Sequence, residues 1–165
     1  MESYFLKSLL EKGIRAIQPH YDGIHSTIVY THQGNIKLVE TAYEVMDQIC
    51  QCFGSDLQGR MNGTRKKFGY RKQPPVLISE MSQLVALQIP SEYADENTWI
   101  WEMNFKIEEG IGQSKSKIIL DENLSFEVDL SKSSIEEKRT RAIDVLFSIT
   151  YFGGTTFYMS KRSKK

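Results

Sequence analysis

The chain predicts an α+β fold: a single domain in which a mainly antiparallel sheet is covered by two amphipathic helices. Three observations carry this expectation. Short stretches rich in Ile, Val and Thr are separated by turn chemistry. Two other segments repeat apolar residues with helical spacing. No internal repeat or long linker divides the 165 residues, and 40% hydrophobic content over that length fills one core well and two poorly.

The first twelve residues, MESYFLKSLLEK, read as a short mobile segment. An early acid, Lys7 inside the apolar stretch and no small-residue cleavage site argue against a secretory signal. Strands are then expected at 14–19, 24–30 and 35–39, joined by Tyr21-Asp22-Gly23 and His32-Gln33-Gly34 as an antiparallel meander. Ala42, Val45, Met46, Ile49, Cys50 and Phe53 follow the i, i+3, i+4, i+7 rule, so a helix spans 41–53. Thr41 and Glu44 form its capping box, and Gly54 supplies the left-handed residue that ends it.

Beyond a glycine-rich stretch, Pro74 and Pro75 bar a helix and lead into strands at 76–78 and 84–89. Trp99, Trp101, Met103 and Phe105 alternate with polar and aliphatic residues, the period of one strand with an aromatic face. Both tryptophans are read first as core or interface packing. Residues 118–120 and 124–130 make a hairpin around 121–123. Ser134 and Glu137 offer a second capping box, and Ile135, Ala142, Val145, Leu146 and Ile149 give the second helix, ending near Gly153 and Gly154. The basic tail at 158–165, with Lys161, Arg162, Lys164 and Lys165, is expected to be a mobile solubilising end.

Charge is balanced overall, 21 Lys plus Arg against 21 Asp plus Glu, so any electrostatic partner must be selected locally. It is uneven along the chain. Between Cys50 and Tyr70 four glycines punctuate a run whose last acid is Asp56. Arg60, Arg65, Lys66, Lys67, Arg71 and Lys72 then place six cations within thirteen residues without a carboxylate. Burying several unpaired cations costs far more than their stems return, so this segment must face water or a polyanion. Residues 92–109 instead hold Glu92, Asp95, Glu96, Glu102, Glu108 and Glu109 against Lys106 alone. That strip reads either as a solvated strand edge that discourages sheet pairing or as a repelling face that orients a polyanion.

Other chemistries lack a pattern. Cys50 and Cys52 are one residue apart, which in a helix turns them to different sides and makes a mutual disulfide unfavourable, as suits a reducing cytosol. With His20, His25 and His32 they match no zinc spacing, so no metal is expected. No nucleophile elbow is present, GRMNGTRK lacks the Gly-Lys-Ser/Thr ending of a phosphate loop, and neither catalytic residue nor cofactor is expected. No run of eighteen apolar residues marks a spanning helix, so a soluble cytoplasmic protein without membrane contact is expected.

Phe53, Gly54, Ser55, Gly59, Arg60, Gly63 and Thr64, followed by Pro74, Pro75 and Pro90, resemble the competence transcription factor ComK family. Cys50 fits the family's cysteine before the Phe-Gly pair, and ENTWIWEMNFKIEE looks like its Trp-containing strand with Trp99 in the matching place. The resemblance covers about 27–144 and is strongest over 50–91. It departs from the pattern at Cys52, and in a spacing from Pro74 to Pro90 about two residues longer. It implies a DNA-binding activator of DNA-uptake genes at the bacterial nucleoid, recognising paired A·T-rich boxes in double-stranded DNA through the minor groove as a homodimer or dimer of dimers. Members are also held down by an adaptor and an ATP-dependent protease, through a C-terminal extension that is not evident here, so that control is not carried over.

On this reading the six cations meet phosphates, with an upper salt slope near about 5 in log K against log salt. Arg60 and Arg65 are the candidates for a narrow A·T minor groove, whose negative potential favours guanidinium. Gly59 and Gly63 would let the backbone approach the sugar-phosphate wall. The alternative is a protein-interaction or regulatory module that kept the fold and lost DNA binding. A third possibility is single-stranded nucleic acid on an aromatic sheet face, which needs exposed aromatics beside the cations.

Overall fold

A computed structural model describes residues 1–112 and 114–152. Its centre is a six-stranded sheet built from β1 (Ile14–Pro19), β2 (Thr27–Thr31), β3 (Gly34–Leu38), β4 (Val76–Ser79), β5 (Leu84–Pro90) and β6 (Asn97–Ile100). The strand order is β3-β2-β1-β6-β5-β4, and every neighbouring pair is antiparallel. A second sheet of β7 (Lys106–Glu109), β8 (Ser116–Asp121) and β9 (Leu124–Val128) runs in the order β7-β8-β9. Among the described residues four helices complete the fold: α1 (Ser3–Glu11), α2 (Ala42–Cys52), α3 (Leu57–Phe68) and α4 (Lys132–Phe152).

The two faces of the six-stranded sheet are covered differently. Ile17, Val29, Val76, Ile78, Trp99 and Trp101 pack with Leu6 and Leu9 of α1, Val45, Met46 and Ile49 of α2, and Leu57 and Met61 of α3. Ala16, Val85, Leu87, Ile89 and Ile100 pack instead with Phe105, Ile118 and Phe126 of the second sheet region and Ile135, Ala142 and Val145 of α4. Adjacent strand residues point to opposite faces, so Trp99 and Ile100 belong to different layers. β5 is buried on both sides, which explains its near-continuous apolar run LVALQIP.

The capping box at Thr41 and Glu44 is present in both directions, with Glu44 N–H donating to Thr41 Oγ1 at 3.2 Å and Thr41 N–H to Glu44 Oε2 at 2.8 Å. β1 spans 14–19 as expected, and the hairpin around 121–123 forms. Both tryptophans lie in one core layer.

Several elements differ from the sequence reading. Residues 24–26 belong to a turn rather than to β2, because Asp22 Oδ1 accepts the N–H groups of Ile24 and His25. The N-terminal segment is a helix whose Leu6 and Leu9 are buried. The aromatic alternation from Trp99 to Phe105 is not one strand. β6 stops at Ile100, where Arg15 carbonyl accepts the N–H groups of both Trp101 and Glu102, and the chain leaves for the second sheet. Arg15 bridges that exit: its guanidinium meets Glu102 at 2.7 Å and Asp121 at 2.6 Å, which holds the Asp121 carboxyl below its ordinary range. α4 begins at Lys132 and its cap lies three residues before the proposed Ser134, since Ser131 Oγ accepts the Ser134 N–H at 3.2 Å. The glycine pair at 153–154 and the tail at 158–165 lie outside the described residues.

Candidate nucleic-acid interface

The basic segment is helical, not an extended glycine-rich loop. Asp56 Oδ1 accepts the Gly59 N–H at 2.7 Å as N-cap, and Asp47 Oδ1 takes the Leu57 N–H at 2.9 Å. Leu57, Met61 and Thr64 turn inward at i, i+4, i+7, and Gly69 closes the helix in the left-handed region at φ 75°. Arg65, Lys66 and Lys67 occupy the last turn, where cations complement the partial negative charge of the free carbonyls.

The six cations divide by role. Arg60 is half-buried and its guanidinium is satisfied by backbone carbonyls, those of Phe53 at 2.7 Å and Leu77 at 3.0 Å. It therefore ties α3 to the end of α2 and to strand β4, and does not project as a free guanidinium. Arg65 donates to the Arg71 carbonyl at 2.9 Å and to Asn62 Oδ1 at 3.1 Å, fastening the turn after α3 to the helix. Lys66, Lys67, Arg71 and Lys72 are exposed. Among the described residues none of the six makes an ion pair with a carboxylate.

The two glycines also divide. A Cβ on Gly59 would lie 2.8 Å from Asp56 Oδ1, so this position is kept bare by the cap itself. A Cβ on Gly63 would meet nothing within 4 Å, which leaves a shallow, open strip on the solvent side of α3. That strip borders a cleft of about 230 Å3 between Lys67 and Phe68 of α3, Leu77 of β4 and Val145 of α4.

The sequence reading missed the contribution of α4. Arg141 stacks over the Tyr70 ring at 5.0 Å from its centroid, and Tyr70 itself stacks on Phe68. Lys138 Nζ donates to Gln73 Oε1 at 3.1 Å. Lys138 and Arg141, the latter paired with Glu137, thus stand against the turn that carries Arg71 and Lys72, although more than sixty residues separate them in the chain. Only the helical phase of Lys138 and Arg141 marks them in the sequence, since three residues apart they share a face.

The acidic segment does not form one continuous row. Glu96 accepts the Tyr21 hydroxyl at 2.6 Å, Glu102 is engaged by Arg15, and Glu108 and Glu109 are exposed on β7, an edge strand. This arrangement fits the edge-protecting reading. Cys50 is buried in the α2 core, which pushes its thiol pKa up to about 12, whereas Cys52 is exposed. Among the described residues no cluster of His, Cys, Asp or Glu is placed to hold a metal, and no helix is long and apolar enough to cross a membrane.

The described residues form a small α+β domain that displays exposed cations at the end of α3 and in the turn after it. The ComK protein family matches residues 9–151, and the chain belongs to it. It is therefore a competence-related transcription factor in general terms, in a family of regulators rather than enzymes. No curated protein and no solved structure matches the chain.

Proposed function

We propose that this chain is a sequence-selective activator of competence genes that binds A·T-rich double-stranded DNA with the last turn of α3 and the turn that follows it. The observation that carries this reading is the set of exposed cations Lys66, Lys67, Arg71 and Lys72, which fall on the last turn of α3 and the turn after it and make no ion pair with a carboxylate among the described residues. They serve as phosphate contacts that set affinity and register. Arg65, held at the edge of this surface by the Arg71 carbonyl and Asn62, would supply the guanidinium for the minor groove, and Gly63 would allow the helix to approach the sugar-phosphate wall. Arg60 and Gly59 build the helix that carries these groups. Paired boxes in the target call for a two-fold arrangement of subunits, so the chain acts as a homodimer or a dimer of dimers.

The test is a gel shift on an A·T-box duplex with Lys66→Glu combined with Lys67→Glu. Reversing two phosphate contacts should weaken binding by roughly a hundredfold or more at low salt while the thermal transition stays cooperative. Distamycin, which fills the minor groove, should compete with the wild-type protein. Undiminished binding by the double variant would remove α3 from the interface. Binding of a protein ligand that resists added salt, without any DNA shift, would favour the interaction-module alternative.

A further inference from the structure

We propose that Gln73 and Lys138, joined through Asn97 and Gln88, are positioning residues that clamp the turn 69–73 between α4 and the sheet and so fix where Arg71 and Lys72 meet phosphate. This rests on the DNA-binding reading above.

The geometry is a nearly closed ring of side-chain amides. Lys138 Nζ donates to Gln73 Oε1 at 3.1 Å, and Gln73 Nε2 donates to Asn97 Oδ1 at 3.1 Å. Asn97 Nδ2 donates to Gln88 Oε1 at 3.2 Å, and Gln88 Nε2 returns to the carbonyl of Pro74 at 2.8 Å. Gln88 is only 4% exposed, so one end of the ring is anchored inside the sheet. Both polar atoms of the Gln73 amide are used: Oε1 accepts from Lys138 of α4 and Nε2 donates to Asn97 of β6.

Gln73 also holds a backbone conformation that its neighbours disfavour. Its φ is +42°, in the left-handed region, and it precedes Pro74, which biases it toward extended geometry. Such a conformation persists only where surrounding contacts over-determine it, and the ring provides those contacts. On the other side of the turn, Gly69 N–H donates to the Arg65 carbonyl and Arg65 Nε to the Arg71 carbonyl. The two cations at 71 and 72 are thus pinned from both ends. Lys138 is placed for hydrogen bonding more than for display: desolvation and then the nearby Arg141 disfavour its charged form.

Two readouts test the clamp on the full-length protein. The first needs no DNA. In the free protein, tryptic cleavage after Arg71 and Lys72 should be slow, and Gln73→Gly, which tolerates the positive φ but removes both side-chain bonds, should accelerate it roughly tenfold. Unchanged cleavage would overturn the clamp whether or not the chain binds DNA.

The second readout is anisotropy on a labelled A·T-rich duplex across a salt series. Gln73→Gly and Lys138→Met should each weaken binding roughly threefold to tenfold, about the net worth of a lost hydrogen bond, with the salt slope unchanged. The double variant should be little worse than Gln73→Gly alone, because both changes remove the same Lys138–Gln73 bond. Lys138→Gln, which donates without a charge, should restore wild-type affinity. If Lys138→Gln instead binds as poorly as Lys138→Met and lowers the slope by about 0.9, Lys138 is itself a phosphate contact and the clamp is wrong. Accelerated cleavage of Gln73→Gly, together with no DNA binding by the wild-type protein, would leave the clamp standing and sink the DNA-binding reading alone.

Discussion

Helices α2 and α3 are nearly equal in length, 11 and 12 residues, and only a short turn separates them, yet they are stabilised in opposite ways. α2 buries Ala42, Val45, Met46, Ile49 and Cys50, and its own side chains close both halves of its capping box. α3 buries Leu57, Met61 and Thr64 and carries two internal glycines, each of which costs about 1 kcal/mol relative to alanine. It is held at its start and along one edge: Asp56 caps it, Asp47 of α2 accepts the Leu57 N–H, and its own Arg60 guanidinium reaches the carbonyls of Phe53 and Leu77. A helix fastened by its ends and one edge needs little apolar surface. The remainder is available for cations, which is why the basic face lies on α3 and not on α2.

This contrast can be broken from either side. On α2, Ile49→Ala removes a fully buried side chain and should cost about 2–5 kcal/mol in denaturant unfolding, with DNA affinity per folded molecule unchanged. On α3, Arg60→Ala should cost about 1–3 kcal/mol, since two carbonyls lose a charged donor. Unlike the α2 variant, it should also weaken DNA binding, because the helix that presents Lys66 and Lys67 loses its tie to β4. If Arg60→Ala leaves stability untouched while binding falls and the salt slope drops, Arg60 is a direct contact and the division of roles is mistaken.

The smallest expected stability effect is the most informative about function. Gly63→Ala meets open space and should raise stability by about 0.5–1 kcal/mol, measured as a higher melting temperature. The added methyl stands on the strip proposed to approach DNA, so affinity should fall as stability rises. A variant that is both more stable and equally tight-binding would move the contact surface off that side of α3.

The same contrast explains what could be read in advance. α2 was fully legible because cap, periodicity and terminating glycine all agreed, and β1 and the hairpin around 121–123 were marked by local turn chemistry. α3 was masked by Gly59 and Gly63, which read as loop punctuation, although Asp56, the 57-61-64 spacing and Gly69 spelled its boundaries. The break between β6 and β7 is set by the Arg15 carbonyl, 86 and 87 residues upstream of the N–H groups it accepts, and an unbroken aromatic alternation hides it. The exposed cations were identifiable from charge alone. That Arg60 serves the fold, and that Lys138 and Arg141 stand beside the basic turn, depends on tertiary contacts that carry no local signature.

The central claim is that the exposed cations of the α3 end and its following turn engage phosphates. It is tested most directly by measuring affinity for an A·T-box duplex against salt, for the wild type and for a variant in which Lys66, Lys67, Arg71 and Lys72 are all replaced by Gln. Loss of four phosphate contacts should reduce the slope of log K against log salt by about 3.6. A variant that binds more weakly or equally but keeps the wild-type slope would place the DNA elsewhere on the molecule and contradict the account.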